Sequence, residues 1–150
     1  MQKRLNINTT EPKALKAMIG LETYLSEISI SKTLKELIKI RASQINGCAY
    51  CIDMHTKDAL KNGETEQRIF LLNAWKETND IYTEEERVLL AITEEVTLIH
   101  QNGLSDKAYE KAKEFFNENQ IAEIIMAIIA INAWNRIAIS GYFQPGQSYI

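Results

Sequence analysis

The chain predicts an all-α fold, a single-domain bundle of about six to seven helices, on three observations. Its 150 residues hold only two prolines, Pro12 and Pro145, so almost everything between them lacks the strongest helix breaker. Apolar residues recur at three- and four-residue intervals, the period of one helix face. Pairs such as Asn46-Gly47, Asn62-Gly63, Asn79-Asp80 and Asn102-Gly103 punctuate these stretches, and Ser or Thr residues stand where new ones begin. A chain of this length buries roughly 68–70% of the surface it exposes when unfolded and needs no covalent staple. One domain over residues 1–150 is therefore expected.

The first helix begins near Pro12, which suits an opening turn, and carries Leu15, Met18, Ile19, Leu25 and Ile28 at helical spacing. A second runs from Ser31 or Thr33 to about Gln44, with Leu34, Leu37, Ile38 and Ile40 as its apolar positions. The third starts at Gly47 or Cys48, carries Cys51, Ile52, His55, Ala59 and Leu60, and stops at Asn62-Gly63. Thr65 caps a fourth through Trp75, with Ile69, Phe70, Leu72 and Trp75 facing the core.

Thr83 and Glu86 make the capping-box pattern of a fifth helix, which bears Val88, Leu89, Ile92, Val96 and Ile99 and ends near Asn102-Gly103. Ser105 caps a sixth that turns Ala108, Ala112, Phe115 and Phe116 inward. The last, about 120–140 and ending at Gly141, is apolar on most sides and belongs in the centre of the bundle or in a subunit interface. The tail 141–150 places Tyr142, Phe143, Tyr149 and Ile150 around a Pro-Gly turn, apolar surface that calls for cover by its own domain or a neighbour. Asn73-Ala74-Trp75 recurs as Asn132-Ala133-Trp134, a weak hint of a duplicated helical unit.

Charge narrows the function classes. The formal net charge is −3, from 17 Lys and Arg against 20 Asp and Glu in interleaved positions, and no basic block marks a nucleic-acid surface. The early basic residues of the N-terminus precede no apolar stretch, so no signal peptide is read there. Residues 124–134 form the most apolar run, shorter than the ~20 residues of a membrane span and flanked by Glu123, Asn135 and Arg136, so no membrane partner is expected. Two cysteines are too few for a disulfide framework, and their closeness points to a redox or metal loop in a reducing, cytoplasmic compartment.

Those cysteines, Cys48 and Cys51, form a Cys-x-x-Cys pair in a predicted first helical turn, with His55 four residues beyond and Glu36 twelve before. Unpaired N–H groups and the positive end of the dipole favour an anion there, so both thiols ionise more readily than in a loop. Helix position alone favours Cys48 as the more acidic thiol and the one that meets an outside reductant. His55 shares a helix face with Cys51, where an imidazole can exchange a proton with sulfur. Glu36 orients His55 if the two helices pack antiparallel, yet Thr33-x-x-Glu36 also matches a capping box. Cys48, Cys51 and His55 also make three zinc-type ligands, but no second Cys or His pair follows to complete a site, so zinc is the weaker case.

The stretch ELIKIRASQINGCAYCIDMH, with its Glu36, Cys48, Cys51 and His55 spacing, resembles the core motif of the alkylhydroperoxidase D-like family, within the carboxymuconolactone decarboxylase superfamily. The resemblance implies an all-α fold, a homo-oligomer of trimer or hexamer type, and thiol-dependent reduction of hydroperoxides without a cofactor. A dithiol protein or small thiol would be the reductant. It further implies that Cys51 is the peroxidatic cysteine, that Cys48 resolves its sulfenic acid to a disulfide, and that Glu36 and His55 relay protons. One position departs: the best-characterised peroxidases of the family carry a histidine immediately before the second cysteine, where this chain has Tyr50. Alternatives are a carboxymuconolactone decarboxylase-type enzyme, against which the paired cysteines speak, and a non-catalytic metal-binding or redox-sensing module.

The other unusual residues have ordinary explanations. Glu84, Glu85 and Glu86 read as solvated charge in a first turn, His100 as a solvated helix end, and Arg136 as a cation that pairs with an acid or reaches to water. Trp75, Trp134, Met18 and Met126 are assigned to the core.

Overall fold

Helix starts lie where capping side chains satisfy the first free N–H groups. In the computed structural model, which describes residues 4–149, Ser31 Oγ accepts the Leu34 N–H at 3.2 Å, and Thr65 and Ser105 do the same for Arg68 and Ala108. Thr83 with Glu86, and Asn117 with Gln120, form reciprocal capping boxes.

Among the described residues these signals delimit eight α-helices: α1 Ile7–Thr10, α2 Pro12–Glu27, α3 Lys32–Asn46, α4 Ala49–Lys61, α5 Glu66–Leu71, α6 Glu84–Thr97, α7 Asp106–Ala112 and α8 Glu118–Gly141. Short 3-10 segments follow α5 at Leu72–Glu77 and α6 at Ile99–Gln101, and the described residues include no strand. The all-α expectation therefore holds, with one short helix, α1, ahead of those expected. The predicted fourth helix breaks after Leu71, where Ala74 adopts φ −117° and ψ 22°.

The helices α3, α6 and α8 enclose the core, with Leu37, Ile38, Ile40, Leu89, Ile92, Ile124 and Ile128 fully buried. By length and composition α8 could cross a membrane, but here it is the central helix, contacting α2, α3, α4 and α6. Near its C-terminal half a buried amide network is cross-linked. Asn135 accepts from Asn46 Nδ2 at 2.8 Å and donates to Ser43 Oγ at 2.9 Å, while Asn132 accepts from Asn46 at 3.0 Å and donates to Thr97 Oγ1 at 3.1 Å. That network ties the end of α3 to α8.

Several expectations are corrected. Phe70 and Ile99, placed in the core by periodicity, are 72% and 62% exposed, and Ile19 and Leu60 also keep much of their surface. Glu86 is not solvated: it is buried, paired with Arg68 at 2.5 Å, and returns a bond to the Thr83 N–H. Arg136 is exposed, as its reach to water predicts, and it also donates to the Asn132 carbonyl at 2.8 Å, one turn back on its own helix. The two Asn-Ala-Trp triplets lie in unlike settings, a 3-10 segment and the interior of α8, so they mark no duplicated unit. The tail folds back on its own chain, and Ile150 lies outside the described residues.

Candidate active site

Gly47 adopts φ +69°, a left-handed conformation that costs glycine little, and this turns the chain from α3 directly into α4. The Cys48 N–H then donates to the Ser43 carbonyl at 3.0 Å, which makes Cys48 the N-cap of α4 and puts Cys51 in its first turn. Cys48 Sγ receives the Cys51 N–H at 3.4 Å. The two cysteines are joined as a disulfide, their Cα atoms 5.4 Å apart, and each residue is only 1% exposed.

The hairpin of α3 and α4 brings Glu36 to His55, as the sequence allowed. His55 Nδ1 lies 3.0 Å from Glu36 Oε2, and both side chains are largely withdrawn from water. Glu36 is not a cap: Ser31, two residues before Thr33, takes that place and leaves the carboxylate to His55. Lys39 sits 3.7 Å from Glu36 and 3.9 Å from Glu22, so the pair belongs to a chain of charges across α2, α3 and α4. Glu36 engages Nδ1, so Nε2 is the ring nitrogen that this contact leaves for another group.

Beside this pair lies a cavity of about 250 Å³ whose lining includes Cys51 and His55 but not Cys48. Its other walls are mainly apolar, with Ile19 from α2, Met54 from α4, Trp134 from α8 and Phe143 from the tail. Glu22 is the polar exception, and its carboxylate is occupied by the Trp134 Nε1–H at 2.8 Å.

Tyr50, in place of the family's histidine, does different work. Its ring meets Phe143 and Tyr149 edge-on, each at 5.5 Å between centroids, while those two stack at 4.0 Å. Burial, and then the adjacent Tyr149 phenol, raise its hydroxyl above the ordinary phenol value, so Tyr50 stays neutral near pH 7 and is no substitute base. No group of three or more His, Cys, Asp or Glu side chains among the described residues is arranged to hold a metal ion.

Residues 12–95, more than half the chain, match the carboxymuconolactone decarboxylase family. The chain belongs to that family. Within it the protein is AhpD-like, in line with the solved structures it resembles. It is 46% identical over 140 residues to the uncharacterized protein YdfG of Bacillus subtilis, covering 93% of this chain and 95% of the relative. It superposes with TM-score 0.93 at 41% identity, over 98% of this chain and all of the other, on an Agrobacterium tumefaciens protein of unknown function considered a candidate antioxidant-defence protein AhpD. A peroxidase-related protein of Ralstonia eutropha with an alkylhydroperoxidase AhpD core gives TM-score 0.82 at 17% identity, over 95% of this chain and 75% of the other, a likeness of fold alone.

The α3–α4 hairpin thus holds the four motif residues as two pairs, Glu36 with His55 and Cys48 with Cys51, and Cys51 and His55 line one cavity. Sequence reasoning did not find the cavity wall. Trp134 was assigned to the core and Ile19 to a helix face, and the aromatic content of the tail was the one signal pointing to Phe143.

Proposed function

We propose that this AhpD-like protein is a thiol peroxidase that reduces hydroperoxides at Cys51 and is recharged through its Cys48–Cys51 disulfide. One observation carries the reading: Cys51 and His55 face the same apolar cavity, while Cys48 stands behind as the partner sulfur.

In the reduced protein the Cys51 thiolate attacks the outer peroxide oxygen and the O–O bond breaks. His55, steadied by Glu36, gives the departing alkoxide its proton, so an alcohol leaves and Cys51 becomes a sulfenic acid. The Cys48 thiolate then attacks that sulfur, the S–O bond breaks, and the oxygen leaves as water once protonated. Hydroperoxide and two thiols are consumed; alcohol, water and one disulfide result. A dithiol protein or two small thiols return the pair to the reduced state by exchange, which suits a reducing, cytoplasmic setting.

The test is thiol counting. Reduced protein titrated with an organic hydroperoxide should lose two thiols per chain, Cys51→Ser should lose the reaction, and Cys48→Ser should stop at sulfenic acid. No thiol loss, or undiminished turnover in Cys51→Ser, refutes the reading. The proposal extends to a homo-oligomer, supported by Ile129 and Ile139, large apolar side chains that α8 leaves exposed. Light scattering that finds only monomer removes that extension.

A further inference from the structure

We propose that the C-terminal segment is the outer wall of the substrate cavity, and that it fits the site to compact, ring-bearing organic hydroperoxides, with Phe143 setting the limit. This rests on the peroxidase reading and names its substrate class.

The wall is built, not incidental. After α8 the chain turns through Tyr142 at φ +57°, and the Phe143 N–H returns to the Ala138 carbonyl at 2.9 Å. A left-handed tyrosine is unfavourable by itself, and Arg4 offsets it by lying 3.8 Å from the Tyr142 ring centre and donating to its hydroxyl at 2.8 Å. Gly141 leaves the room the Phe143 ring occupies, since a Cβ there would stand 2.8 Å from Phe143 Cε1. Beyond Phe143 the segment is fastened at separate points. The Gly146 N–H donates to Asp53 at 3.1 Å, Asn8 Nδ2 donates to the Tyr149 carbonyl at 2.6 Å, and Tyr149 lies flat on Phe143 under the edge of Tyr50.

Size and chemistry of the cavity indicate the occupant. A dry cavity of about 150 Å³ lined by Leu, Ile and Phe takes benzene, and drug-sized ligands need roughly 300–1,000 Å³. The volume here, about 250 Å³, lies between and matches one ring with a short branched arm. Aromatic side chains at Tyr50, Trp134 and Phe143 provide edges and faces for such a ring, and Cys51 with His55 marks where the peroxide end must lie. Hydrogen peroxide would use none of these walls. A long-chain lipid hydroperoxide would have to displace Phe143.

Because Trp134 lines the cavity, its emission reports binding independently of chemistry. The oxidised full-length protein is titrated with 2-phenyl-2-propanol, the alcohol product of cumene hydroperoxide, and with tert-butanol; Trp134→Phe controls for the origin of the signal. Expected is saturable binding of the phenyl alcohol, weakened about tenfold in Phe143→Ala and in Gly141→Ala, which dislodges the ring without deleting it. In turnover, kcat/KM for cumene hydroperoxide relative to hydrogen peroxide should fall about tenfold in the same variants. Phe143→Leu keeps the test alive if the alanine variant does not fold. Absence of saturable binding by the natural protein, or unchanged ratios in folded variants, overturns the inference. Phe143-dependent binding without thiol loss would instead remove the peroxidase reading and keep the cavity's ligand class.

Discussion

Asn135→Leu tests whether the buried amide network fastens the bundle to the redox hairpin. The substitution keeps the side chain's branching and heavy-atom count at a residue with no exposed surface and removes two hydrogen bonds, from Asn46 at 2.8 Å and to Ser43 at 2.9 Å. Each is worth about 1 kcal/mol net, and a buried polar group left unpaired costs about 1–3 kcal/mol more. Asn46 Nδ2 keeps Asn132 as a second acceptor at 3.0 Å, so the added penalty falls mainly on the Ser43 hydroxyl. The total is about 3–5 kcal/mol. Urea unfolding of the oxidised protein, with a slope of about 2 kcal/mol per molar, should show the midpoint falling by about 1.5–2.5 M. Asn46→Ala combined with Asn135→Leu should cost about 1 kcal/mol less than the two single changes added, because they share a bond. A midpoint shift below about 0.3 M at unchanged slope, or strict additivity, would show that the network carries no such coupling.

Three further expectations follow from the same geometry. Glu36→Gln removes the carboxylate 3.0 Å from His55 and should slow peroxide-driven thiol loss about a hundredfold, with unchanged far-UV circular dichroism; a rate within twofold of the natural protein would deny Glu36 a place in the relay. At Glu94, burial alone would raise the carboxyl, but hydrogen bonds from Lys76 and Trp75 and the Arg41 charge outweigh it and hold the group below the usual value. Its stabilisation is thus complete above the unfolded value of about 4.3 and is lost as pH falls through the lower folded one; the gap in urea midpoint between the natural protein and Glu94→Gln should be wide at pH 7 and close under acid. Burial pushes the Tyr82 hydroxyl up to about 12, so ultraviolet titration should show a late phenolate there that Tyr82→Phe removes.

Much of this was readable in the residues. The caps at Thr65, Thr83 and Ser105, the Asn-Gly stops and the sulfur-bearing first turn of α4 all depend on contacts within four residues, and those interactions are written in the local order of side chains. Periodicity misjudged Phe70 and Ile99 for a related reason. A repeat of three or four shows that residues share a face, but not whether another element covers it. The choice between cap and relay for Glu36 was ambiguous because both uses fit the same spacing, and only the seating of α4 against α3 brought His55 to the carboxylate.

By itself, then, the sequence determined the all-helical build and the family, and it singled out Glu36, Cys48, Cys51 and His55 as the motif, since short-range spacing encodes each of these. The tertiary structure alone decided what those residues face. Trp134 and Phe143 reach Cys51 across more than eighty residues of intervening chain, and Tyr50, next to Cys51 in order, acquired its role by gripping a tail that begins ninety residues later. Such a wall forms where separate helices leave room between them, and volume between elements is a property of their packing rather than of any one stretch of chain.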